Sequence, residues 1–343
     1  MAQVFLTGGS GYIGGALCER LVAGGETVRA LARSEVAAEK VAARGGEPVD
    51  GHVLDEERLA AGMAGCDVAF HVAGVNTHCP HDPDWLMRVN VAGTATVIRA
   101  AARAGVRRVV MTSSAASIGE PHGVVGDEET EHRGSYLSVY DRSKHAGEIA
   151  AFSAGRQLGL EVVTLNPSSV QGPGRASGNG KLIIDYLNGK LPAFVDVPVS
   201  VVDVADVAEA HRLAAERGRP GARYVLNGAT IPSTEALEIV AGLSGVRERV
   251  RLVPPAVARS VAALAEAAAR ARGRTSSLCR ARVRTILHGH RYDGSLATRE
   301  LGLDYTPVAD TFARTIDWAV AEGLVTRPLP GRSAPAAAGP PHG

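Results

Sequence analysis

The stretch QVFLTGGSGYIGGALCERL at residues 3–21 decides how the chain folds. Its first five residues are a mostly apolar run, the mark of a strand buried on both faces. The run passes directly into glycines at 8, 11 and 14, and then into a segment with apolar positions at helical spacing. Gly8 serves the tight turn, Gly11 lets the backbone approach a pyrophosphate, and Gly14 lets helix and strand pack closely. The helix that follows offers unpaired N–H groups and the positive end of its dipole to the phosphates. Strand, glycine turn and helix in that order are the context that a dinucleotide-binding turn requires. Tyr12 and Ile13 stand between the second and third glycines, at the rim of that turn.

Outward from this turn, short apolar runs alternate with longer helical ones. Strands are expected at 3–7, 27–32, 68–72, 109–112, 161–165 and 223–226, and helices at 11–23 and 91–104 among others. That alternation predicts βαβ units and an α/β fold with a Rossmann-type, doubly wound parallel sheet. The second strand ends in Ala32, Arg33 and Ser34 and offers no acid before Glu35. An acid there would accept from a ribose 2′-hydroxyl, whereas a guanidinium can grip a 2′-phosphate in bidentate fashion, so Arg33 favours NADP over NAD.

The 343 residues allow about two lobes at ~150 residues each. Composition is that of a water-soluble protein, 45% hydrophobic and 21% charged, with 37 Lys+Arg against 36 Asp+Glu. That balance excludes a general binder of nucleic acid or anionic membrane, which needs a clear basic excess. Cys18, Cys66, Cys79 and Cys279 are far apart and form no C-x-x-C pair, so no disulfide framework and no four-cysteine zinc site is expected. A reducing, cytoplasmic location is the expectation, because no apolar run is long enough to span a bilayer and the first strand leaves no room for a signal peptide.

The chemistry-bearing segment is SVYDRSKHAGE, with Tyr140 and Lys144 four residues apart and so on one helix face. A phenol near its ordinary pKa of about 10 exchanges protons poorly at neutral pH unless a nearby ammonium favours its phenolate. Upstream, the strand VVMTSS ends in Ser113 and Ser114, where a hydroxyl can polarise a substrate carbonyl.

With these residues in place, the chain resembles the extended short-chain dehydrogenase/reductases. The likeness runs from Gln3 to about Leu324 and rests on TGGSGYIG (7–14), HVAG (71–74), RVNVAGT (88–94), TSSAASIG (112–119) and YDRSK (140–144), with NPSSVQGPG (166–174), VVDVADVAEAH (201–211) and RELGLDYTP (299–307) downstream. VRALARS and VTLNPSSVQGPG are most similar to the branch of dihydroflavonol and cinnamoyl-CoA reductases. The resemblance implies Tyr140 as general acid/base, Lys144 as its partner, Ser114 as the group orienting the carbonyl, and Asn90 in the helix beneath the site. It implies cofactor contacts from Gly8, Gly11, Tyr12, Ile13, Gly14, Arg33, Val53, Ala73, Tyr140, Lys144, Pro167 and Val170. Ala115 and Ala116 stand where sugar-nucleotide dehydratases resemble each other in an Asp-Glu pair, which argues against elimination chemistry. Gly51 and His52 replace the family's frequent Gly-Asp near the adenine.

The expected organisation is a dinucleotide-binding lobe from 1–170 and 201–229, a substrate-binding lobe from 171–200 and 230–325, and a disordered tail at 331–343. The expected activity is NADPH-dependent reduction of a ketone or aldehyde on a small molecule, by a possible homodimer with no metal, nucleic-acid or membrane partner. The alternatives are an NAD-dependent sugar-nucleotide epimerase, a 3β-hydroxysteroid-type dehydrogenase, or a non-catalytic dinucleotide sensor. His78, Cys79 and His81 lack a fourth ligand and a metal-site spacing. The Arg-rich segment 272–291 reads as a solvated face, and the Ala-rich helix at 256–272 as a packed one.

Overall fold

The computed structural model describes residues 2–330; the tail at 331–343 lies outside them. In chain order the strands are β1 (Gln3–Thr7), β2 (Thr27–Ala32), β3 (Glu47–Asp50), β4 (Val68–His71), β5 (Arg108–Thr112), β6 (Val125–Gly126) and β7 (Glu161–Pro167). They continue with β8 (Ser169–Gln171), β9 (Ala193–Phe194), β10 (Pro198–Asp203), β11 (Arg223–Leu226), β12 (Ala229–Pro232), β13 (Arg251–Leu252) and β14 (Arg291–Tyr292). The α-helices are α1 (Tyr12–Ala23), α2 (Glu35–Ala42), α3 (Glu56–Met63), α4 (Pro83–Met87), α5 (Gly93–Arg103) and α6 (Val139–Leu158). After them come α7 (Asn179–Leu187), α8 (Val204–Arg217), α9 (Ser233–Ser244), α10 (Pro255–Arg270), α11 (Arg280–His288) and α12 (Val308–Ala321).

Seven parallel strands form the main sheet in the order β11-β7-β5-β4-β1-β2-β3. The chain therefore leaves β1 in one direction and later resumes on its other side at β4, which opens a crevice at the carboxyl end of β1. Side chains of β1 alternate between two cores, as the period of a strand demands. Val4 and Leu6 join Leu17, Leu21, Val110 and Tyr224 on one face, while Phe5 joins Met63, Val97, Ile98 and Val109 on the other. Burying each large side chain contributes roughly 1.5–3 kcal/mol, and these layers fix where the strand ends stand.

A three-stranded sheet, β12-β10-β8, lies apart from the main one, and Ile183, Tyr186, Val240, Phe312 and Ile316 centre a third core. Val201–Asp203 completes β10, and Asp203 then caps α8 by accepting from the Ala205 N–H at 2.7 Å.

One expectation needs correction and a second holds only in part. Cys79 and Cys279 are joined in a disulfide across 200 residues, so the spacing argument against a disulfide fails and cysteine usage no longer supports a reducing compartment. Helix α10 packs only shallowly, along one side against α11. Ala262 is its one buried residue, while Val257, Val261 and Leu264 are exposed, the last at 72%. Its alanines offer too little apolar surface to seat it deeply. Among the described residues, no helix is long and apolar enough to cross a membrane.

Candidate active site

At the carboxyl end of β1 a cleft of about 1050 Å³ is lined by the glycine turn and by the ends of β2 and β4. Gly8 has φ +82°, and a Cβ there would lie 2.7 Å from the Ala73 nitrogen. A Cβ at Gly14 would lie 2.1 Å from the Gly8 carbonyl oxygen, so only glycine lets the first turn of α1 close against the loop. The donors at the start of α1 stay uncovered by side chains, and Gly11, its N-cap, makes no side-chain cap. The residues present thus fit a dinucleotide pyrophosphate.

Gly8, Gly11, Tyr12, Ile13, Gly14, Arg33, Val53 and Ala73 all line this cleft. Pro167 and Val170 do not: the first ends β7 and the second is buried in β8 within the core. Three basic residues that sequence reasoning passed over also line it, Lys40, Arg44 and Arg175. Lys40 belongs to α2, directly after Arg33, and that proximity was a usable signal. Arg44 donates to the Gly9 carbonyl at 2.9 Å and pairs with Glu19 at 3.1 Å. Arg175 lies over the Tyr12 ring, 5.6 Å from its centre. His52, in the place of the expected acid, lines the cleft with its ring 5.6 Å from Trp85.

The cleft continues toward the acid/base residues. Gly74 lines the cleft, and a Cβ on it would lie 3.2 Å from Asn90 Oδ1 and 3.9 Å from Lys144 Nζ; Tyr140 and Lys144 themselves are not among the lining residues. Asn90 sits in a π-turn at Arg88–Ala92, where the wider helical ring exposes backbone and side-chain groups to a site. Its amide accepts from the Val75 N–H at 2.7 Å and donates to the Val75 carbonyl at 3.0 Å and the Ser143 hydroxyl at 2.9 Å, locking the 72–76 loop to α6. His71, the first residue of HVAG and the last of β4, is buried with Thr7 at 2.9 Å on one ring nitrogen and Thr94 at 3.0 Å on the other. Burial lowers its pKa to about 3, which keeps the ring neutral.

Helix α6 begins at the Ser138 cap, whose hydroxyl accepts from the Asp141 N–H at 3.2 Å, and carries Tyr140 and Lys144 on its inner face. Lys144 is buried and donates to the Thr112 carbonyl at 2.8 Å, at the end of β5. Burial lowers its pKa to about 8 against the opposing pull of Glu148 one turn on. Burial raises the Tyr140 phenol to about 12, and a hydrogen bond from Ser114 draws it partly back. Lys144 does not figure among the groups that shift the phenol, so the lysine-driven lowering expected from the sequence does not appear and desolvation dominates. The two serines differ in task. Ser113 is buried and bonds to Ser117, while Ser114 reaches Tyr140. Beneath them Glu148 accepts from Ser117 at 2.9 Å and from Asn166 at 2.6 Å, tying α6 to β7.

The substrate side holds groups that no local pattern marked. The His78 ring stands edge-on to Tyr140 at 5.2 Å and bonds to Ser138 at 3.2 Å. Its neighbour Cys79 is the residue bonded to Cys279, so the disulfide ties the C-terminal segment to the loop after β4. The Arg-rich segment is largely exposed, as expected of a solvated face, with surface contacts from Arg284 to the Leu137 carbonyl at 2.7 Å and from Arg280 to Glu266 at 3.3 Å.

The model of the NAD dependent epimerase/dehydratase family matches residues 4–226. Sterol demethylase protein B of Methylococcus capsulatus is 32% identical over 93% of this chain and 99% of its own. A ketoreductase of Stigmatella aurantiaca, acting on a 4-hydroxy-2-methyl-3-oxo-4-farnesyl-3,4-dihydroquinoline-1-oxide, is 35% identical over 78% of this chain and 81% of its own. Cinnamoyl-CoA reductase 1 of Petunia hybrida is 30% identical over 69% and 76% respectively. Among solved structures, gox2253 superposes with a TM-score of 0.82 at 30% identity, covering 94% of this chain and 99% of its own. The glycine cradle, the Tyr-Lys helix and this likeness converge: the chain belongs to the NAD dependent epimerase/dehydratase family, as an NAD(P)-dependent oxidoreductase of the extended short-chain type.

Proposed function

We propose that this protein reduces a ketone or aldehyde carbonyl of a small, secondary-metabolite-like molecule with NADPH. The observation that carries the reading is the meeting of Ser114, Tyr140 and the buried Lys144 beside a glycine-lined cleft. When bound, NADPH supplies the hydride. Ser114 donates to the carbonyl oxygen, and Tyr140, neutral with its pKa near 12, gives that oxygen a proton as negative charge develops. Lys144 holds a positive charge close to the phenol up to about pH 8. Preference for NADPH is supported by Arg33, just past β2, and Lys40 of α2, both exposed and both lining the cleft, which Glu19 also lines.

The test is NADPH consumption against a panel of ketones, aldehydes and acyl thioesters, followed by two variants on the best substrate. Tyr140→Phe is expected to lower kcat by roughly 10²–10⁴-fold. Arg33→Ala is expected to raise KM for NADPH by ~10-fold or more while leaving that for NADH nearly unchanged, the loss of one charge-assisted pair. Wild-type turnover by the phenylalanine variant would remove the proposed acid, and undiminished NADPH use by the alanine variant would remove the cofactor assignment.

A further inference from the structure

We propose that Glu120, His288 and His290 bind a divalent transition-metal ion of the zinc class. The three donor atoms lie within 4.8 Å of one another. Glu120 Oε1 is 2.5 Å from His290 Nδ1 and 3.4 Å from His288 Nε2, and the Glu120 backbone carbonyl is 3.2 Å from that same Nε2. Donors around tetrahedral zinc, at Zn–N and Zn–O distances near ~2.0–2.1 Å, stand about 3.3 Å apart, so the Glu120–His290 pair must open and the widest pair close for all three to hold one ion.

The local backbone is shaped for convergence. Gly289 caps α11 with φ +65°, and this left-handed turn swings His288 and His290 to one side, with ring centres 4.7 Å apart. Glu120 arrives from the other direction, on the segment that leads into β6, and β6 pairs with β14 immediately after His290.

An independent observation points to a ligand. Glu120 is 1% exposed, yet its Oε2 has no hydrogen-bond partner among the described residues. A buried carboxylate oxygen without a donor is costly, and a cation beside it satisfies both oxygens at once. A plain ion pair with His290 satisfies Oε1 alone. The Tyr292 hydroxyl, 3.0 Å from the same His290 nitrogen, would release that nitrogen to the ion. Imidazole and carboxylate donors of this number suit zinc or its neighbours rather than magnesium or calcium, which want more oxygens. The ion would clasp the C-terminal segment to the 117–126 loop.

The experiment uses the full chain, stripped of metal with a chelator. Cobalt(II) is titrated as a spectroscopic probe, and zinc is titrated by competition with a chromogenic indicator. One equivalent of cobalt with the visible bands of a four- or five-coordinate ion is expected, displaced by zinc, with a rise in Tm. Glu120→Gln and His290→Ala should each weaken zinc binding by at least ~10-fold, while His81→Ala, an exposed histidine outside the cluster, should not. The isosteric Glu120→Gln keeps the test open where the alanine variant folds poorly. Absence of a stoichiometric site in the wild type overturns the proposal, as does zinc binding undiminished in both ligand variants.

Discussion

Tyr140 and Lys144 face the same conflict, since each must bear charge at some moment in a place that penalises charge. Burial moves them in opposite directions, the phenol up to about 12 and the ammonium down to about 8. The phenol therefore stays protonated throughout the physiological range, as a proton donor to a reduced carbonyl should. The lysine is the group that titrates. Below about pH 8 it is charged, and above it the neutral form takes over, so kcat/KM for the cofactor, which reports the free enzyme, should fall about tenfold per unit above that value. In Lys144→Arg the charge persists to far higher pH. The fall should then move out of the measurable range, and a descending limb that stays at the same pH would assign it to another group.

At the scale of elements, exposure separates residues that sequence pattern treats alike. Leu86 on α4 is wholly buried, whereas Leu264 on α10 is exposed. Leu86→Ala should cost about 2–5 kcal/mol in urea unfolding, and Leu264→Glu less than about 0.5 kcal/mol. A comparable loss from both would mean that α10 is covered in solution.

Legibility followed the same division. Strands β1, β2 and β11 are readable to the residue because each is a dense apolar run between turn signals. Strand β3 was not, since EPVD alternates nothing and contains Pro48; it survives as the edge of the sheet, where a missing N–H is harmless. The Tyr140–Lys144 spacing and the glycines at 8, 11 and 14 are local and could be read. Arg175 reaches Tyr12 only through the fold, and His78 meets Tyr140 through contacts 62 residues apart in sequence. Cys79 and Cys279 carried no signal because pairing depends on where two distant loops finish, which spacing does not encode.

For the whole molecule, the disulfide joins the loop after β4, whose His78 stands against Tyr140, to the residue that caps α11. Closing so long a loop restricts the unfolded chain, and removal of the bond should cost about 2–5 kcal/mol. The Cys79→Ser, Cys279→Ser double variant should melt at lower temperature and show a raised KM for the carbonyl substrate, with KM for NADPH little changed. Equal rises in both constants would place the effect in the fold at large rather than beside Tyr140.

The same bond divides the chain mechanically. Residues 79–279 become a closed ring that contains Ser114, Tyr140 and Lys144, while the glycine cradle at 8–14 lies on the open arm before it. Tension applied through the two ends of the chain would pass from Cys79 to Cys279 through sulfur and bypass the ring. The cradle would be pulled apart under such a load while the acid/base residues remained unstretched, and a backbone cut inside the ring would leave the molecule in one covalent piece.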